Sequence, residues 1–295
     1  VYGIPMLLMV GWRGEPGVAD EPQHKKQGKG MLAMLDAMNI PYAILPFYTD
    51  EANETVKAAC DHIKKHQEPY VLIVQKGCFE PYETTSIEPQ RYELSRGEAV
   101  TSIAGAIGMN DIIVSTTGHC SRELYDYRQS RNQGHERDFL TIGGMGHASQ
   151  IATSMAMNAS TYNVFCLDGD GAAIMHLGGM ATSGIHGNHR FKHIVINNGV
   201  HHSVGGQKTV GHQISLPTIA KASGYKTVCY AETKLELIES IEKLKNEMDG
   251  PSFLEVRVNT NVKSDLGRPV TTPQENKQQL MTFLHHAKDP WQQPA

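Results

Sequence analysis

NVFCLDGDGAAIMHLGGMATSGIHGNHRFKHIVINNGVHHSVGGQ, residues 163–207, is the most informative segment of the chain. Residues 164–167 are a short apolar run of β-forming type, and it ends at Asp168-Gly169-Asp170-Gly171. Glycines on both sides of Asp170 let the backbone turn sharply and approach a ligand closely. A helix is expected over 172–186, with Gly187 where a C-cap belongs. Residues 193–196 make a second apolar strand, which ends in Asn197-Asn198-Gly199. A strand, helix and strand of this length form a βαβ crossover, so the two strands should run parallel. Asp170 and Asn198 then stand at carboxyl ends of parallel strands, where open α/β sheets bind ligands.

The residue types indicate the ligand. Asp170 offers a carboxylate and Asn198 an amide carbonyl, hard oxygens of the kind Mg²⁺ prefers when it also holds phosphates. The N–H groups of Gly171 and Ala172 open the helix, and a helix N-terminus attracts phosphate. GDG alone is usually no more than a turn. GDG whose Asp170 is followed 28 positions later by Asn198 of NNG, with a strand before each, is far more specific. The segment resembles the diphosphate-binding motif of thiamine-diphosphate enzymes.

Outside this unit, composition sets bounds. With 295 residues, 40% of them hydrophobic, the chain can bury a sizeable core in one or two domains. A net charge of −4 gives no reason to expect nucleic acid. No apolar run reaches the ~18 residues of a membrane span. Cys60, Cys78, Cys120, Cys166 and Cys229 are odd in number and form no CxxC, which fits a reduced, cytoplasmic protein. The chain starts without Met and runs straight into an apolar strand at 6–10, so an upstream segment is expected.

Elements alternate in an α/β manner. The first third predicts strands at 6–10, 42–45 and 70–74 and helices at 28–38 and 51–66. Polar residues 76–94, with Pro81 and Pro89, read as a linker. The second domain opens with a Ser95/Glu98 capping box. Strands follow at 111–115, 139–142, 226–229 and 253–258, with helices at 121–133, 216–223 and 233–248, the last behind a Thr233/Glu236 box. The expected organisation is a first domain at 1–80, a linker at 81–94, a second domain at 95–260 and a tail at 261–295 with a helix at 276–287.

Strand-end loops at 116–119, 143–146, 168–172 and 197–199 should gather at one sheet edge. One competing reading takes GGMGHAS as a dinucleotide fingerprint, with Asp168 at 24 positions after Gly144 as the ribose acid. It lacks the third glycine, which is Ser149, and leaves GDG with NNG unexplained. Fifteen histidines raise the question of zinc, but His186, His189 and His193 straddle a helix end and no HExxH exists. His119, His147, His201 and His202 stand apart because they adjoin the strand-end loops. No GxSxG or Cys/His pair supplies a nucleophile, which fits a cofactor that carries its own chemistry.

GWRGEPG followed by DEPQH, then TTGHCSREL, GGMGHAS, GDG with NNG, HSVGGQ and LGRPVTTPQENK together resemble the phosphonopyruvate decarboxylase family, from residue 2 to about 284. Sulfopyruvate decarboxylase is its near relative. The resemblance implies an α/β chain of two thiamine-diphosphate-binding-fold domains, each a mainly parallel sheet flanked by helices. Residues 1–80 would be the later part of an incomplete pyrimidine-binding domain, and 95–260 the diphosphate-binding domain. It implies decarboxylation of a 3-substituted pyruvate, a small 2-keto acid, with thiamine diphosphate and Mg²⁺, in a homo-oligomer whose site lies between subunits. Asp170 and Asn198 become metal ligands, with the carbonyl of Val200 as a third. Thr117, Gly118, His119, Gly171 and Ala172 would surround the diphosphate, Gly143 would take the aminopyrimidine, and Met145 would prop the bent cofactor. His119, His201 and His202 are the candidate catalytic groups. A dianionic phosphonate needs cationic or N–H partners, for which Arg122 and His119 lead, since they adjoin a strand end, with Arg13, His24 and Arg128 behind them. The family's catalytic glutamate would lie upstream of Val1, so this polypeptide is expected to bind cofactor better than it catalyses. Two alternatives are sulfopyruvate as substrate and a cofactor-binding chain that a partner completes.

Overall fold

The computed structural model describes residues 2–81, 91–263 and 265–288. It falls into two compact units, Val1–Ile87 and Glu88–Ala295. Most of the expected linker, residues 82–90, lies outside the described residues.

The first unit runs β1 (Leu7–Gly11), α1 (Pro22–Ala37), β2 (Tyr42–Ile44), α2 (Thr49–His66) and β3 (Tyr70–Val74). Its three strands pair in parallel in the order β1-β3-β2. β3 is central, and its Val71, Leu72 and Ile73 are buried as one continuous apolar run, as expected of a strand covered on both faces. Helix α1 begins six residues before the expected 28. Its first turns are polar and give no apolar period, and the start is set by Pro22, whose fixed φ and missing N–H suit the first helical position. Gly28 lets this helix lie on the preceding loop, because a Cβ there would stand 2.2 Å from the Gly14 backbone.

The second unit runs α3 (Arg96–Ala106), β4 (Ile112–Ser115), α4 (His119–Ser130), β5 (Asp138–Leu140), α5 (Ala148–Met157) and β6 (Val164–Gly169). It continues through α6 (Asp170–Met175), α7 (Gly178–His186), β7 (Phe191–Asn197) and the short hairpin β8 (Val200–His201) and β9 (Gln207–Lys208). Then come α8 (Leu216–Ala222), β10 (Thr227–Ala231), α9 (Lys234–Asn246), β11 (Ser252–Arg257) and α10 (Pro273–Lys288). Six strands form one parallel sheet in the order β10-β11-β7-β6-β4-β5. After β4 the chain steps outward to β5 and then returns to the other side of β4 for β6. Loops leave β4 and β6 in opposite directions, which opens a crevice at their carboxyl ends.

Alternation along these strands divides the core in two. Ile113, Phe165, Leu167, Ile194 and Ile196 face one layer, with Val100, Ile103, Leu124, Leu237 and Ile241 from α3, α4 and α9. Ile112, Val114, Val164, Cys166 and Val195 face the other, with Ala152, Met180, Leu216 and Leu280 from α5, α7, α8 and α10. Both expected capping boxes form, Ser95 with Glu98 and Thr233 with Glu236.

The expected single helix over 172–186 is two helices. Helix α6 starts at Asp170 itself and stops at His176, whose backbone leaves helical geometry at φ −124°, ψ 44°. Gly178 and Gly179 weaken continuation, and the His176 ring is held outward against the Gly146 carbonyl at 3.0 Å. Gly187 does follow the last helical residue, but at φ −65° it is extended rather than left-handed. Its missing side chain still matters, since a Cβ would meet the Ser183 carbonyl at 2.4 Å.

Candidate active site

Four loops meet at the carboxyl edge of the larger sheet, and each is bent by a local device. After β4, Ser121 Oγ donates to the Thr116 carbonyl (2.7 Å), and Gly118 turns with φ +96° as the N-cap of α4. The helix therefore begins at His119, two residues before the expected 121, and its N-terminus faces the crevice. After β5, Gly143, Gly144 and Gly146 all take positive φ (65°, 53° and 85°), which L side chains rarely adopt. A Cβ on Gly146 would also meet the Ala172 carbonyl at 3.0 Å, so that loop lies directly on α6.

After β6, Asp170 is 2% exposed and opens α6. The Thr209 hydroxyl donates to its Oδ2, and Gly211 N donates to Thr209 Oγ1 at 3.0 Å. Among the described residues Asp170 has no ion-pair partner, and burial pushes its carboxyl pKa up. After β7 the two asparagines divide the work. Asn197 is fully buried; its Nδ2 donates to the Gly211 carbonyl (2.9 Å) and Glu255 Oε1 (2.8 Å), and its Oδ1 accepts from Gly199 N (3.1 Å). Asn198 faces the cleft and accepts from Val200 N at 3.2 Å, which leaves its carbonyl oxygen a second lone pair.

Thr117, His119, Met145, Gly171, Ala172, Asn198 and Val200 all line one open cleft with Asp170, His201 and His202. Gly118, Gly143 and Arg122 are not among its lining residues, although Gly118 shapes the loop and Arg122 lies in the first turn of α4. His147 is exposed and stacks on His176 at 4.8 Å. Arg13 and His24 belong to the smaller unit, where Asp20 holds both: Arg13 Nε at 2.9 Å and Nη2 at 2.5 Å, and His24 Nδ1 at 3.0 Å. That pairing keeps Asp20 well below the usual carboxylate range. Arg128 is committed to Asp138 in a fully buried ion pair.

Electrostatics at the cleft favour neutral imidazoles. Burial, then the charges of Arg96 and Arg122, push His119 down to about 4. His202, edge-on to His119 at 5.6 Å, is lowered for the first two of these reasons. His202 Nδ1 and Thr116 Oγ1 are buried without hydrogen-bond partners among the described residues, so this wall has polar capacity to spare.

Two features were not read from the sequence. Arg96, at the start of α3, also lines the cleft; its only sequence signal was its place after the Ser95 cap. Behind the site, Cys166, Asp168 and His193 come together, because β6 and β7 pair Cys166 with His193. His193 Nε2 stands 3.5 Å from Asp168 Oδ2, and its Nδ1 3.1 Å from the Tyr225 hydroxyl. Only the strand register could have revealed this grouping.

The switch point between β4 and β6, the buried Asp170 that opens α6 and Asn198 just after β7 all lie in a region similar to thiamine-pyrophosphate-binding domains. Residues 116–256 match the thiamine pyrophosphate enzyme C-terminal TPP-binding domain family. A benzoylformate decarboxylase from Polynucleobacter necessarius shares the fold at a TM-score of 0.51 and 15% identity, over 87% of this chain and 50% of that one. Phosphonopyruvate decarboxylase of Streptomyces viridochromogenes is 32% identical over 95% of this chain and 73% of its own. The beta subunit of sulfopyruvate decarboxylase from Methanocaldococcus jannaschii is 35% identical over 52% of this chain and 77% of its own. The chain belongs to the phosphonopyruvate decarboxylase family of thiamine-diphosphate-dependent 2-keto acid decarboxylases.

Proposed function

We propose that this chain decarboxylates 3-phosphonopyruvate to phosphonoacetaldehyde and carbon dioxide, using thiamine diphosphate and Mg²⁺, as a step in making C–P compounds. The observation that carries it is Asp170, a carboxylate buried at the mouth of β6 with no ion-pair partner among the described residues. A buried carboxylate without counter-charge is costly. A divalent cation held by Asp170, Asn198 and the Val200 carbonyl would supply that charge, and three oxygen donors suit Mg²⁺. When bound, the cofactor would supply a sink for the electron pair left on the substrate when carbon dioxide departs.

The chain's own groups hold and orient. The N–H groups of Gly171 and Ala172 and the start of α4 at Thr117, Gly118 and His119 would take the diphosphate oxygens. Met145 would support the cofactor from the cleft wall, and the Gly143 carbonyl would accept from its aminopyrimidine. His119, held neutral, can donate from one ring nitrogen and accept at the other; with His201 and His202 it is a candidate to move a proton at the substrate. Arg122 is the leading partner for the phosphonate, and Arg13 and His24 would first have to leave Asp20.

Phosphonopyruvate is favoured over sulfopyruvate because relatives of the first kind align with 95% of the chain and those of the second with about half. A cytoplasmic homo-oligomer whose site is shared between subunits fits the same resemblance and the free cysteines. Calorimetric titration of thiamine diphosphate with and without Mg²⁺, on this chain and on Asp170→Ala, tests the site. Metal-dependent binding that the variant loses is expected; equal binding in both overturns it. Carbon dioxide release from phosphonopyruvate and from sulfopyruvate then compares the substrates, and binding without release from either would favour a chain that a partner completes.

A further inference from the structure

Arg96 is the first residue of α3, yet it is only 5% exposed. A cation at a helix N-terminus opposes the helix dipole, and its burial adds a desolvation cost. Glu123, from the middle of α4, offsets both: Arg96 Nε donates to Oε2 at 2.8 Å and Nη2 to Oε1 at 3.0 Å. The fork fixes the plane of the guanidinium. It commits two of the three nitrogens, and Nη1 has no hydrogen-bond partner among the described residues. The same side chain lines the cleft beside Thr117, His119, Asp170 and His202.

Glu123 by itself does not explain this placement. A pair that served only to join α3 to α4 could lie anywhere along their contact, and a buried ion pair adds little stability over apolar residues of similar volume. Arg96 sits instead close to the His119 and His202 imidazoles, which its charge helps keep neutral. A guanidinium with a spare N–H edge matches phosphate oxygens in geometry and charge.

We infer that Arg96, oriented by Glu123, is an anion-binding residue of the cleft that donates from Nη1 to an oxygen of the cofactor's diphosphate. The inference rests on the assignment of the cleft to thiamine diphosphate. Arg96 would thereby add a second positive charge to that of the metal at the diphosphate.

The test is calorimetric titration with thiamine diphosphate and with thiamine monophosphate at fixed Mg²⁺. The proteins are the unaltered chain, Arg96→Gln with Glu123→Gln, Arg131→Gln and Asp170→Ala. Removing both partners leaves no orphan carboxylate, and Arg131 lies at the far end of α4. A lost charge-assisted hydrogen bond predicts about tenfold or more weaker binding of thiamine diphosphate by the double variant. The loss should be smaller for the monophosphate, and Arg131→Gln should bind as the unaltered chain does. Affinity for thiamine diphosphate within about twofold of the unaltered chain, in a folded double variant, overturns the role of Arg96. If that variant does not fold, Arg96→Met with Glu123→Leu fills the same space with apolar atoms and carries the same comparison. Asp170→Ala separates the two ideas: if it too binds normally, the cleft assignment fails; if it alone loses binding, only the role of Arg96 does.

Discussion

Asn197 and Asn198 are neighbours with opposite duties, and replacing each in turn should separate structure from chemistry. Asn197→Leu keeps the volume roughly constant and removes three buried hydrogen bonds. It takes a partner from the Gly211 carbonyl, the Gly199 N–H and Glu255 Oε1 in the buried interior. Glu255 can ill spare the partner, since its Oε2 already lacks one among the described residues, although Arg257 Nε still reaches Oε1 at 3.1 Å. Taking about 1 kcal/mol for each neutral bond and about 2 for the one to the carboxylate gives a loss of about 4 kcal/mol. For a unit of this size that lowers the melting temperature by roughly 8–16 °C. Asn198→Ala removes a single 3.2 Å bond from Val200 N and should cost about 1 kcal/mol or less. Differential scanning calorimetry of the two variants without added ligand decides it. If they melt within about 2 °C of each other, Asn197 does not brace the β7 loop as described. Titration with Mg²⁺ and thiamine diphosphate should reverse the order: Asn198→Ala binds poorly, whatever its stability.

Other expectations follow from the same geometry. Asp138→Ala leaves the buried Arg128 guanidinium unpaired and should cost about 3–5 kcal/mol in urea unfolding, whereas Arg128→Met with Asp138→Leu should recover most of it. His119 should titrate near pH 4 rather than near its ordinary 6.5 when followed by NMR of its ring protons; a midpoint above 6 would contradict its burial and cationic surroundings. Between those two values the unfolded chain binds the proton and the folded chain does not. His119 therefore makes stability fall as pH drops through that window, and His119→Gln should flatten the slope. Gly171→Ala would place a Cβ 2.5 Å from the His201 ring; about 1 kcal/mol of stability should be lost as the ring swings away, with a larger loss in thiamine diphosphate affinity. Cys120, pushed up to about 12, and the fully buried Cys166 should resist iodoacetamide at pH 8 while Cys60, Cys78 and Cys229 react, as read by mass spectrometry.

Local sequence signals specify the parallel α/β class, both capping boxes and the loops that form the cleft. Local signals carry these features: a strand's apolar run, a cap three residues ahead of its glutamate, and glycines where φ must be positive. The sequence also marked Asp170 and Asn198, because a βαβ unit fixes which strand ends lie side by side. It missed the polar first turns of α1, where no apolar period exists, and the break at His176, where a contact with the Gly146 carbonyl outweighs helical continuity. Tertiary structure alone separated Asn197 from Asn198, since one depends on Glu255 in β11 and on Gly211, and the other faces the cleft. Tertiary structure also took Arg13 and His24 into a network around Asp20, and it brought Arg96 to the cleft through Glu123. Which side chains share a charge is set by contacts between residues far apart in the chain, and no local pattern encodes them.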